Sequence, residues 1–174
     1  YKKNPDGANE VINKLEKKYM QHVEELYSTD EYKEKTREFL REEFKYMRSF
    51  TKDIFTSFEE KSIVAQGEIM STNMVLNYLQ EQGIKATLLS AFDFMRTDKN
   101  AEPDAQYIKE KLTAIMTENE GYQIYITQGF ICLNAYGEID NLQRGGSDFT
   151  ASLIGVALGA EEIQIWTDID GMHN

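Results

Sequence analysis

A chain of 174 residues with 41% hydrophobic content can bury one sizeable core. Its formal net charge of −11 excludes wrapping nucleic acid or sitting on an anionic membrane, so any anionic ligand must be held by local donors against the overall field. The single cysteine, Cys132, excludes an internal disulfide framework and fits a reducing cytoplasm, and no apolar run is long enough to span a bilayer.

Residues 1 to 61 read as a helical part. Ile12, Leu15, Tyr19, Val23 and Leu26 recur at three- and four-residue spacings, the stripe of an amphipathic helix. Ser28-Thr29-Asp30 breaks it and supplies caps for a second helix, predicted from 31 to about 58 through Phe39, Leu40, Phe44, Met47, Phe50, Ile54 and Phe55. The charges between these positions are solvated faces, so the pair predicts an N-terminal helical hairpin.

From residue 62 the texture alternates. Ser62-Ile63-Val64-Ala65 is a short apolar run, and Gly67-Glu68 is predicted to open a helix through Met70, Met74 and Leu79 that ends on Gly83. Ala86 to Ala91 reads as a buried strand. A helix with Pro103 near its first turn runs from 101 to about 119, and Tyr122 to Thr127 is a β-branched and aromatic strand. Short extended pieces around Ala135-Tyr136-Gly137-Glu138 predict a projecting hairpin. A helix over 147–159 then leads to a last strand, Glu162 to Thr167, with Trp166 in the core. This order predicts an α/β fold, a three-layer sandwich with a mostly parallel sheet flanked by helices, whose ligands bind beyond the carboxyl ends of the strands.

Thr127-Gln128-Gly129 and Thr167-Asp168 fall at two such ends. Between them lies Arg144-Gly145-Gly146-Ser147-Asp148, which joins a cation, two glycines, a hydroxyl and a carboxylate ahead of a small, apolar helix. Ser147 or Asp148 is predicted to cap that helix, whose free N–H groups attract an anion, and Arg144 could grip a carboxylate or phosphate with two parallel hydrogen bonds. Each residue also has a plainer reading. Glu68 could be a dipole-favourable charge at a helix start, Asp148 only a cap, and Asp168 and Asp170 turn formers beside Gly171. Cys132 reads as structural, and His22 as a solvated helix residue.

Three stretches in order, Gly67-Glu68-Ile69-Met70-Ser71-Thr72, Arg144 to Asp148, and Trp166-Thr167-Asp168-Ile169-Asp170-Gly171, resemble the aspartokinases of the amino acid kinase family. Phe92-Asp93-Phe94-Met95-Arg96-Thr97, Ala101-Glu102-Pro103-Asp104 and Ile126-Thr127-Gln128-Gly129-Phe130-Ile131 strengthen the match, which looks most like the single-function, lysine-sensitive type. The resemblance implies phosphoryl transfer from MgATP to the side-chain carboxylate of L-aspartate, giving 4-phospho-L-aspartate, the first step toward lysine, threonine and methionine. It implies that Glu68 receives the substrate ammonium and that Arg144, Gly145, Gly146 and Ser147 hold its carboxylates. Asp148 would orient a catalytic lysine, and Thr167, Asp168 and His173 would contact the nucleotide. Mg2+ would be held by ATP phosphates and water, with no dedicated protein cage. The parent protein is expected to be a homo-oligomer.

The family's Lys-Phe-Gly-Gly-(Thr/Ser) loop, its Asp-Pro-Arg run and its C-terminal ACT domains have no counterpart between Tyr1 and Asn174. The chain is therefore expected to be an excised piece of a catalytic domain, active in its parent and nearly inactive alone. Gln66 replaces an aromatic or aliphatic residue, and Gln143 a glycine. Two alternatives stand beside this reading: an amino acid kinase acting on glutamate, acetylglutamate or carbamate, and a non-catalytic ligand-binding module.

Overall fold

The computed structural model describes residues 4–51, 55–142 and 145–166. Two helices open the chain, α1 (Pro5–Leu26) and α2 (Asp30–Ser49), forming the expected hairpin. Pro5 occupies the first turn of α1, where its missing N–H costs nothing, and the Asn4 side chain accepts from Gly7 N at 2.9 Å. Thr29 makes no side-chain cap for α2. Its start is held from elsewhere: the Glu81 carboxylate accepts from Thr29 N at 2.7 Å and from Ser28 N at 3.0 Å.

The second helix stops at Ser49 instead of running to residue 58, and a third is under way by Ser57. Helix α3 (Ser57–Glu81) is capped by Thr56 and Glu59 in a reciprocal box: Thr56 Oγ1 accepts from Phe58 N at 3.2 Å, and the Glu59 carboxylate accepts from Thr56 N at 2.7 Å. Gly67 and Glu68 therefore lie in the middle of a helix and do not open one. The apolar run Ile63 to Ala65 is helical because α3 is buried on two faces. Ala65 and Ile69 pack with Leu89, Phe94, Met95, Ile108 and Leu112 in one core, whereas Ile63, Met70 and Met74 pack with Val23, Leu40 and Phe44 in another. Gly83, at φ +75°, ends the helix as foreseen.

The α/β part begins with β1 (Ala86–Leu88), shorter than predicted because Ala91–Phe94 turn into a helical segment, α4. Helix α5 (Ala105–Glu118) starts on Asp104, which accepts from Tyr107 N at 3.2 Å. It returns the chain to β2 (Ile124–Ile126), parallel to β1 with Ala86 opposite Ile124. The hairpin is present as β3 (Ile131–Leu133) and β4 (Ile139–Asn141), closed by Asn134 Oδ1 accepting from Tyr136 N and Glu138 N. Helix α6 (Gly146–Leu158) ends at Gly159, at φ +64°.

The last predicted strand does not form over its described residues. Residues 162–166 form no strand, and Trp166 is 88% exposed. Ile163 folds back over α6, where a Cβ on Gly155 would lie 2.4 Å from Ile163 Cδ1, so the segment takes its contact from the helix and gains no ladder partner. Thr167 lies outside the described residues. Cys132 is fully buried, and burial, then the nearby Asp140 carboxylate, pushes its thiol up to about 12, as suits a structural cysteine.

Candidate functional site

The glycines in front of α6 do different things. Gly145 is the N-cap at φ +82°, a left-handed conformation that costs a side-chain-bearing residue about 1–2 kcal/mol. Gly146 sits where a Cβ would meet the Cβ atoms of Leu142 and Phe130, each at 2.9 Å. Because those atoms are fixed to the backbone, only glycine fits. With Gly145 as cap, Ser147 and Asp148 are not caps: both stand exposed in the first turn, with no side-chain cap bond at this helix end.

The first bond inside α6 runs from Phe149 N to Gly145 O at 3.0 Å, so the amides of Gly146, Ser147 and Asp148 precede the helix's own ladder. They border an open cleft of about 500 Å³ lined by Phe130, Asn141, Leu142 and residues 145–148. A cleft of this size suits a small polar ligand, and the positive end of the helix dipole faces it. Asp148 opposes that positive end, which raises the need for a cation nearby. Arg144, the expected source, lies outside the described residues.

The cleft stands at the carboxyl end of β4, and the residues between β2 and β3 tie it to α3. Gln128, 3% exposed, accepts from Ala91 N at 2.9 Å through Oε1 and donates to Thr72 Oγ1 at 3.0 Å through Nε2. Thr72 Oγ1 in turn donates to Glu68 O at 2.7 Å. Gly129 then presses against Ser147: a Cβ there would lie 3.1 Å from Ser147 Oγ. Phe130 N donates to Thr150 Oγ1 at 3.1 Å, and Thr150 Oγ1 donates to Gly146 O at 2.7 Å.

Of the residues singled out from sequence, Gly145, Gly146, Ser147 and Asp148 line one cleft. Half-buried Glu68 is not among its lining residues, but its helical turn is bonded to the segment that abuts Ser147. The Glu68 charge also reaches the hairpin. Tyr19 has its hydroxyl pKa raised, first by burial and then by Glu68. Thr167, Asp168 and His173 lie outside the described residues. Sequence reading missed Thr72, Thr150 and the role of Gln128. Only the last had a signal, a long polar amide between a predicted strand and a glycine. Among the described residues, no group of three or more His, Cys, Asp or Glu side chains could hold a metal ion.

Comparison with known proteins matches residues 7–174 to the Amino acid kinase family. The chain is 39% identical over 116 residues to lysine-sensitive aspartokinase 3 of Escherichia coli, covering 64% of this chain and 25% of that protein. It is 32% identical over 114 residues to the bifunctional aspartokinase/homoserine dehydrogenase 2 of the same organism, covering 64% of this chain and 14% of that one. Among solved structures, Escherichia coli aspartokinase III in complex with aspartate and ADP superposes with a TM-score of 0.70 at 31% identity, over 86% of this chain and 34% of that chain. The chain thus spans about a quarter of the first relative's length, and its α/β architecture is that of the aspartokinase structures. The match over residues 7–174 establishes that the chain belongs to the amino acid kinase family.

Proposed function

We propose that this chain is part of the catalytic domain of an aspartokinase, which transfers the γ-phosphoryl group of ATP to the side-chain carboxylate of L-aspartate. The observation that carries this reading is the glycine-built start of α6, tied through Thr150 and Phe130 to the segment whose Gln128 bonds Thr72 on the turn of α3 that bears Glu68. Aspartate has one cationic and two anionic groups, so its site needs an acceptor and a set of donors some distance apart. Glu68 is assigned to the ammonium. The amides of Gly145, Gly146 and Ser147, the Ser147 hydroxyl and Arg144 are assigned to the carboxylates, and Asp148 to orienting a catalytic lysine.

In the reaction a side-chain carboxylate oxygen attacks the γ-phosphorus, the bond to the β-phosphate oxygen breaks, and ADP leaves with that electron pair. The protein's part is alignment and charge balance, since little covalent help is needed. Thr167, Asp168 and His173 are assigned to the nucleotide. Mg2+, bound through the phosphates, would neutralise charge developing on them. The higher identity to the lysine-sensitive enzyme supports a single-function type inhibited by lysine. We assign the protein to the cytoplasm and to a homo-oligomeric state.

The test is ADP release by the full-length protein carrying this chain, with L-aspartate, L-glutamate or N-acetyl-L-glutamate as acceptor. ADP release that depends on L-aspartate and is inhibited by lysine is the expected result. Turnover with glutamate or acetylglutamate but not aspartate would overturn the assignment.

A further inference from the structure

We propose that Thr72 and Gln128 are positioning residues that hold Glu68 and the start of α6 at the spacing of an amino acid's ammonium and carboxylate groups. This rests on the roles given above to Glu68 and to residues 145–147. Neither Thr72 nor Gln128 lines the cleft, so neither is assigned contact with substrate.

The direction of each hydrogen bond is fixed by its neighbours. Thr72 Oγ1 has one proton, and it goes to Glu68 O at 2.7 Å, with Ile69 O also in reach at 3.3 Å. The hydroxyl can therefore only accept from Gln128 Nε2, at 3.0 Å. Gln128 Oε1 is committed to Ala91 N at 2.9 Å. A buried side chain that donates at one end and accepts at the other suits a glutamine. A carboxylate could not donate, and asparagine is one methylene shorter.

The backbone that follows completes the link. Gly129 meets Ser147, and Phe130 N is held by Thr150, whose hydroxyl donates to Gly146 O. The three residues 128–130 thus bond the turn of α3 on one side and the start of α6 on the other. Released from Gln128, α3 could shift or turn relative to α6, and Glu68 would move with it. Misplacement of one binding group by a fraction of an ångström weakens the ligand that spans both.

The experiment uses the full-length protein and compares Thr72→Val, which keeps the shape and removes the hydroxyl, with Thr72→Ser, which keeps the hydroxyl. Kinetics and calorimetry with L-aspartate and with ATP are the readouts. Thr72→Val is expected to raise KM and Kd for aspartate about tenfold and change those for ATP by less than about twofold, with Thr72→Ser near wild type. Adding Thr72→Val to Gln128→Ala is expected to weaken aspartate no further than Gln128→Ala alone. Unchanged aspartate binding in Thr72→Val, or equal losses for aspartate and ATP, overturns the proposal. If wild type uses a different amino acid, the aspartokinase reading fails by itself, and the same comparison on that amino acid still decides the positioning role.

Discussion

Gly146 and Gly67 are both helical, yet their surroundings give opposite expectations. A methyl on Gly146 would strike two Cβ atoms at 2.9 Å, and neither can swing aside. At Gly67, exposed in the middle of α3, a methyl meets nothing within 4 Å. Gly146→Ala is expected to cost about 1–3 kcal/mol through overpacking. Gly67→Ala is expected to gain about 0.5–1 kcal/mol, because alanine gives up less backbone freedom in a helix. Thermal denaturation of the two variants checks this: midpoints that fall together would mean the close approach at Gly146 is not the determinant. The same comparison explains what sequence could tell about this site. The Gly145-Gly146 pair was legible as a place where backbone comes near something. That the near partners are Leu142 and Phe130, and that Gly145 and not Ser147 is the cap, depends on a tertiary approach with no local signature.

Among the elements, the β3–β4 hairpin was legible from Gly137 in its turn, and α5 in its body but not its start: Pro103, expected near its first turn from 101, pairs with Thr97 instead, and Asp104 caps a helix that begins at Ala105. Helix α3 was legible only in part. Its apolar positions do not form one stripe, because it faces two cores, so a run such as Ile63 to Ala65 cannot be told from a buried strand by periodicity. Residues 162–166 have the β-branched and aromatic content of a strand, but that content acts only where another strand offers a ladder. The N-terminal helical hairpin and α3 are joined by a polar bond as well as by packing. Asn77 Nδ2 donates to Thr36 Oγ1 at 3.0 Å, with Asn77 4% exposed and Thr36 fully buried. Thr36→Val keeps the shape and strands the Asn77 amide, at a cost of about 1–3 kcal/mol. Thr36→Ser should recover most of that loss. A denaturation midpoint for Thr36→Val equal to wild type would show that the amide finds another partner.

Across the whole molecule the charge of −11 coexists with an exposed apolar strip of sequence: Val156 and Leu158 on α6 and Ile163, Ile165 and Trp166 after it are all more than 40% exposed. Trp166 is the sole tryptophan, so its fluorescence reports on this strip alone. In the 174-residue chain by itself, emission is expected to be that of a solvated indole and readily quenched by acrylamide. Blue-shifted, protected emission would show that the strip is covered, as apolar surface of this kind often is. Helix α3 has the widest reach of any element. With Ala65 and Ile69 in one core and Ile63, Met70 and Met74 in the other, it is a party wall. The hairpin cannot peel away without stripping one side of that wall, and the sheet cannot loosen without stripping the other. Two cores built on one partition are expected to share a single melting event, and slack introduced among Val23, Leu40 and Phe44 should be felt by the carboxylate of Glu68, which is mounted on the partition itself.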